Sequence, residues 1–161
     1  QVDSDDELHL VYSDRTASPL VRYTQPGLVT DEAVPDSSLT YDLAVDFSPM
    51  GHPCVANTNA FSPVTYACRS GSTWERETLD PDRTAVQIDM VFDSTGVPYI
   101  VFNDVTVDRL YIATLDHSAT WRVTVLATNV DEPSISVDAR DLIHVAWHDR
   151  STGGIHYASG R

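Results

Sequence analysis

Residues 91–121 read VFDSTGVPYIVFNDVTVDRLYIATLDHSATW, and the parsing of this stretch decides the fold. Short runs rich in Val, Ile, Tyr and Thr are punctuated by Asp-Ser-Thr-Gly, Asn-Asp and Asp-His-Ser. Such runs are strands bounded by turns. β-Branched and aromatic side chains suit a pleated, half-buried surface, and Asp, Asn, Ser and Gly supply the turn conformations. No apolar period near 3.6 residues, the mark of a helix, occurs along the chain.

The stretch recurs. ELHLVYSDR, HPCVANTNA, VPYIVFNDV and LIHVAWHDR align without gaps and place Asp14, Asn59, Asp104 and Asp149 at steps of 45 residues. LVRYT, VTYAC, LYIAT and IHYAS set Tyr23, Tyr66, Tyr111 and Tyr157 in correspondence, at intervals of 43, 45 and 46. STWERETL and ATWRVTVL match Trp74 with Trp121, whereas the first copy has GLVTDEAV there. A further register puts Asp46, Asp93 and Asp138 at the end of an alternating run, followed by Gly51, Gly96 and, in the last copy, Asp141. Four strands in a unit of about 45 residues is the arithmetic of a β-propeller blade. A β-sandwich also uses short strands, but it does not require the same Asp, Tyr and Trp at a fixed period.

The expected fold is therefore all-β, with four-stranded antiparallel blades labelled A to D from the inside outward. The first unit lacks A and has B, C and D near 8–13, 20–24 and 28–33. The second has 39–46, 53–58, 64–69 and 74–79. The third has 86–93, 98–103, 109–115 and 121–127. The fourth has 133–138, 142–148 and 154–158, and lacks D. This gives one domain, 1–161, with blades at about 1–36, 37–83, 84–130 and 131–161, two complete and two partial. A closed ring leaves no unpaired strand edges, and an open arc leaves two. The chain is then a fragment of a larger propeller, a subunit that completes a ring with another chain, or a compact four-bladed form. The first two are favoured, because an isolated arc exposes its edges and inner apolar face.

Composition narrows the partners. Asp and Glu total 24 against 10 basic residues, all Arg, for a net charge of −14. That field repels phosphate backbones and anionic membrane surfaces, so neither nucleic acid nor membrane insertion is expected. Hydrophobic content of 42% is ordinary for a globular domain, and no apolar run approaches the roughly 20 residues of a membrane span. The acidic surface suits a soluble secreted protein or a salt-adapted one. The chain opens on Gln1 with neither an initiator Met nor a leader-like segment, as in a trimmed, mature chain.

The pattern in VFDSTGVPYIVFNDVTVDRLYIATLDHSATW, and again in VDARDLIHVAWHDRSTGGIHYAS, resembles a bacterial secreted propeller repeat of the sialidase-like (BNR, Asp-box) superfamily. The resemblance spans nearly the whole chain. It implies the propeller fold and, for function, a lectin, an adhesion module or a glycosidase, since fold does not fix chemistry. The S-x-D-x-G-x-T-W loop of Asp-box sialidases does not occur here; the Asp-Gly turns present are a looser relative.

The repeated Asp14, Asn59, Asp104 and Asp149 stand where strand B meets the B–C turn. There they either accept hydrogen bonds from turn N–H groups or form a ring of acceptors for a sugar hydroxyl or cation. The repeated tyrosines, and Trp74 with Trp121, are expected to wedge between blades. Trp147, His148 and Arg150 are particular to the last hairpin tip and join Asp14, Asn59, Asp104 and Asp149 as candidate ligand-binding residues. The positions before the repeated Asp or Asn are Ser13, Thr58, Asn103 and His148, all able to hydrogen-bond. His144 and His148 lie roughly 13 Å apart along a strand, too far to share one metal ion, and no metal or other cofactor is expected.

Cys54 and Cys68 fall on strands B and C of one blade, about a hairpin centred on Phe61. Directly opposed residues sit about 4.5–5.5 Å apart at Cα, within disulfide range. The expected disulfide implies an oxidising compartment, extracellular or periplasmic. G-x-S-x-G, H-E-x-x-H and phosphate-loop motifs are lacking. The expected function is a non-catalytic module that binds a glycan or protein surface through loops on one face. The alternatives are part of a sialidase-like glycoside hydrolase, and a structural arc that assembles with other blades.

Overall fold

The computed structural model describes residues 2, 6–14, 16, 21–27, 31–35, 42–59, 62–116 and 118–161, without the side chains of Asn59 and Pro81. Among these the chain is all-β, with fourteen strands in four antiparallel sheets. Sheet I holds β1 (Leu10–Ser13), β2 (Val21–Thr24) and β3 (Glu32–Ala33). Sheet II holds β4 (Asp42–Phe47), β5 (Pro53–Asn59), β6 (Ser62–Ser70) and β7 (Thr73–Thr84). Sheet III holds β8 (Gln87–Phe92), β9 (Pro98–Asp104), β10 (Arg109–Leu115) and β11 (Trp121–Thr128). Sheet IV holds β12 (Val130–Val137), β13 (Ile143–Asp149) and β14 (Gly154–Gly160). Within each sheet every strand pairs with the next in sequence, as short turns dictate. Residues 28–30 and 39–41, expected to be strand, lie outside the described residues.

Two strands run further than the sequence reading placed them. β7 continues to Thr84 because, as an outermost strand, it answers only to β6 and keeps pairing with it through two bulges. β12 starts at Val130, ahead of Pro133, because a bulge absorbs Glu132 (φ 50°) and the proline.

The sheets stack in chain order, with an apolar layer at each interface. Tyr23, Val34, Val55 and Ala67 fill the first, Phe92, Ile100, Phe102 and Tyr111 the second, and Val101, Leu110, Ile143 and Val145 the third. Alternation along β8 (Ile88, Met90 and Phe92 buried) sends its apolar side chains into the second layer.

Carboxylates join the innermost strands across these interfaces. Asp42 accepts the N–H of Ile88 at 3.1 Å and Asp46 that of Phe92 at 3.0 Å, both from β4 to β8. Asp89 of β8 accepts the N–H of Ile135 on β12 at 2.9 Å. Main-chain donors on the edge of an inner strand are thereby satisfied without a pairing partner.

Two sequence alignments require correction. Asp46 does not correspond to Asp93 and Asp138; Ser48 does. The N–H of Ser48 donates to His52 O at 3.0 Å, as Asp93 does to Val97 O at 3.1 Å and Asp138 to Leu142 O at 3.0 Å. Tyr111 is also one residue out of step with Tyr23, Tyr66 and Tyr157. Those three pair with Val11, Ala56 and Ala146, but the matching Val101 pairs with Ile112. Nine residues separate Ala56 from its partner Tyr66 but ten separate Val101 from Ile112, and a one-residue shift turns a strand side chain to the opposite face. Tyr111 therefore stacks on Phe102 (centroids 5.4 Å apart) in the layer between sheets II and III.

The turn from the first to the second strand needs a left-handed residue. Gly51 (φ 76°) and Gly96 (φ 88°) supply it, and Asp141 (φ 58°) takes that role in sheet IV, a conformation that Asp tolerates better than most side chains.

Candidate functional site

The repeated acidic residues close the β1–β2, β9–β10 and β13–β14 turns by one pattern. Asp14 Oδ1 accepts the N–H and hydroxyl of Thr16 at 2.8 and 2.7 Å. Asp104 does the same with Thr106 at 2.9 and 2.6 Å, and Asp149 with Ser151 at 2.8 and 2.5 Å. The Thr16 hydroxyl holds the Asp14 carboxyl below the usual carboxylate range, and the Ser151 hydroxyl does so for Asp149. These are Asx-type turn closures. The side chain of Asn59 lies outside the described residues.

Three of the residues one step earlier, Thr58, Asn103 and His148, tie their strand to an inner strand. Thr58 donates to Asp42 O at 3.5 Å. Asn103 Nδ2 donates to Gln87 Oε1 at 3.1 Å and to Val130 O at 3.0 Å. His148 Nδ1 lies 2.7 Å from Asp131 Oδ1. Side chains at this position thus hold neighbouring strands together.

The β13–β14 tip brings more chemistry together. Arg150 pairs with Asp108 of the β9–β10 turn, and its N–H donates to Asn129 O at 2.8 Å. Asn129 in turn donates its N–H to Asp108 O at 3.1 Å, so the two turns are locked side by side. His156 Nε2 lies 3.5 Å from Asp149 Oδ2, and its ring lies 6.0 Å from that of Trp147. The tip thus holds three separate pairings: Trp147 and Asp149 with His156, His148 with Asp131 on the opposite face of the strand, and Arg150 with Asp108. Asp131 could have been found from the hairpin register, being opposite His148. Asp108 could not, because it comes from another sheet. Asp14 and Asp104 belong to the turns of sheets I and III.

The three tryptophans are used differently. Trp74 lies edge-on to Tyr23 (5.5 Å) and donates its indole N–H to Glu32 at 3.2 Å. Trp121 repeats this with Tyr66 (5.2 Å) and Glu77 (2.7 Å). Both are inter-sheet wedges. Trp147 is half-buried beside His156, and no described residue accepts its indole N–H.

Among the described residues, the carboxyls that are shifted all move one way. Asp14, Glu32, Asp116, Asp138, Asp141 and Asp149 lie below their usual range. The main cause is a hydroxyl donor for Asp14, Asp116, Asp141 and Asp149, the Arg69 guanidinium for Glu32 and the Leu142 N–H for Asp138. A general acid for glycoside hydrolysis needs the opposite shift. Fixed carboxylates, an Arg fork and a half-exposed indole suit binding of a polyhydroxyl ligand: oxygen acceptors and N–H donors for hydroxyls, and an aromatic face for C–H groups.

No protein-family model and no curated protein matches the chain. Solved structures do. A fucose lectin from Kordia zhangzhouensis, in complex with methyl-fucoside, matches with TM-score 0.54 and 13% identity, over 80% of this chain and 96% of the lectin. A mutant of NanB sialidase from Streptococcus pneumoniae matches with TM-score 0.62 and 12% identity, over 97% of this chain and 28% of the sialidase. A Hadza microbial sialidase matches with TM-score 0.60 and 17% identity, over 99% of this chain and 43% of the sialidase. The chain thus spans less than half of either sialidase. At these identities the likeness speaks to fold alone, and it shows this chain to have a sialidase-like, β-rich antiparallel fold, shared with the lectin.

Proposed function

We propose that the chain is a secreted β-propeller module, of two complete and two partial blades, that binds a glycan without catalysing its hydrolysis. Sheets II and III are the complete blades and sheets I and IV the partial ones. The glycan sits at the β13–β14 tip, on Trp147, His148, Asp149 and Arg150, with Asp104, Asp14 and Asn59 as acceptors in the companion turns. One observation carries the reading: Trp147 packs against the layer between sheets III and IV but, unlike Trp74 and Trp121, has no described acceptor for its indole N–H, and its ring lies 6.0 Å from that of His156, which meets Asp149. The fold likeness to a lectin solved with methyl-fucoside supports a sugar as ligand. The Cys54–Cys68 disulfide supports an oxidising, extracellular or periplasmic setting.

The test is titration of the intact protein with methyl-fucoside and a panel of free glycans, repeated with Trp147→Ala. Saturable binding that weakens roughly tenfold in the variant is the expected result. Binding indifferent to Trp147 would move the site elsewhere.

A second reading, part of a sialidase-like hydrolase, is favoured by the likeness to sialidases across 97% and 99% of this chain. Release of the chromophore from an aryl sialoside by the protein would establish it in place of the first.

A further inference from the structure

The first two sheet interfaces are closed by one device. Tyr23 opposes Glu32 across β2 and β3, and Trp74, at the start of β7, covers both. Tyr66 opposes Glu77 across β6 and β7, and Trp121, at the start of β11, covers both. Each tryptophan opens the outermost strand of the following sheet. Each also faces a fixed position in that sheet's third strand: Arg69 for Trp74 and Leu115 for Trp121.

At the third interface the same positions can be read from the pairing. Ile112 opposes Thr124, replacing the Tyr–Glu pair. Thr114 pairs with Tyr99 and Ser159 with His144, each 45 residues further on, so Gly160 corresponds to Leu115. Sheet IV ends at β14, with no strand beyond it among the described residues. Where the third tryptophan would sit there is a cavity of about 290 Å³, lined by Ile112, Thr124, Leu126, Val145, Ala158 and Gly160, among others. The three marker positions all line it. Its lining is chiefly apolar, better matched to a large side chain than to a sugar. On the opposite face of β14, Tyr157 is 61% exposed, whereas the matching Tyr23 and Tyr66 are 0% and 7% exposed.

We infer that the free edge of β14 and this cavity form a docking site for an extended partner segment that pairs antiparallel with β14 and inserts a tryptophan over Ile112 and Thr124. The occupant is a strand of the β7 and β11 kind, with Trp at its first or second position. The chain's own three tryptophans are committed to β7, β11 and β13, so the segment comes from outside these residues. Main-chain pairing along the edge gives affinity, and the aromatic socket gives register and specificity. The socket lies at the end of β13 and β14 opposite the Trp147–Arg150 tip, so it is separate from the proposed glycan site.

The probe is a fluorescein-labelled peptide of the sequence 119–129, ATWRVTVLATN, titrated against the intact protein by fluorescence anisotropy. Saturable binding is expected. Replacing the peptide's tryptophan by alanine weakens it roughly tenfold or more. Thr124→Glu in the protein restores the indole acceptor found at Glu32 and Glu77, and tightens binding about threefold to tenfold. Ala158→Trp fills the cavity and abolishes binding; Thr124→Glu keeps the test decisive if that variant misfolds. Absence of saturable binding overturns the proposal, as does indifference to the peptide's tryptophan or to Thr124→Glu. Displacement of the peptide by methyl-fucoside makes the socket a sugar pocket. A dimer in solution that the peptide dissociates makes the occupant a second copy. Either result also overturns the proposal.

Discussion

Asp89 on β8 accepts the backbone N–H of Ile135 on β12 at 2.9 Å, joining two sheets through residues 46 apart in sequence. Asp42 and Ile88 repeat the bond one sheet earlier, at the same separation of 46. These carboxylates occupy the donors on inner strand edges. Ile135 is only 6% exposed, so its N–H has little recourse to water. Asp89→Ala is expected to destabilise the fold by about 1–3 kcal/mol, the cost of an unsatisfied buried donor. Asp89→Asn, which keeps an acceptor oxygen, should cost less. Urea unfolding of the three proteins measures both differences.

The Trp121–Glu77 contact separates ring packing from hydrogen bonding. Trp121→Phe keeps an aromatic edge on Tyr66 but loses the N–H donor, and should cost about 1 kcal/mol. Trp121→Ala loses both and should cost about 2–3 kcal/mol. Thermal unfolding gives the order, and equal losses in the two variants would remove the ring from the account.

Cys54 and Cys68 stand opposite each other, with Cα atoms 4.1 Å apart, and are joined by a disulfide. With a sequence separation of 14, the closed loop contributes about 3 kcal/mol by limiting the unfolded chain. The double variant Cys54→Ala, Cys68→Ala should lose about that much. The same loss should follow when the wild type unfolds in the presence of reductant.

The strands, their order and this disulfide were legible because each depends on local rules: turn residues, alternation and hairpin symmetry about Phe61. The repeat located Asp14, Asp104 and Asp149 for the same reason, since each closes a turn with a residue two positions on. What failed was register. Tyr111 looked equivalent to Tyr66 because the two stand 45 residues apart, but LYIAT laid on VTYAC residue by residue sets Ile112 against Tyr66, and the strand pairing gives Ile112 that place. Contacts between sheets were also hidden. Asp108 meets Arg150, and Glu77 meets Trp121, only after stacking is known.

Acid should weaken the fold in a defined window. The Ser118 hydroxyl and the N–H groups of Thr120 and Ser118 hold Asp116 well below the usual carboxylate range, and those of Leu142 and Arg140 do so for Asp138. A carboxyl depressed in the folded state favours folding at pH values above its unfolded pKa, about 3.9. That contribution is lost as pH falls from there toward the folded value. Stability is therefore expected to drop below about pH 4, and Asp116→Asn with Asp138→Asn should flatten the drop. Chemical unfolding from pH 7 to pH 2 follows the slope; an unchanged slope in the double variant would assign acid sensitivity to other groups.

The central claim is that the β13–β14 tip binds a glycan through Trp147. The most direct measurement is a glycan array probed with the wild type and with a Trp147→Ala variant shown by circular dichroism to be folded. The wild type is expected to mark a defined set of glycans, and the variant to lose that set. A wild type that marks none, or a variant that marks the same set equally well, would contradict it.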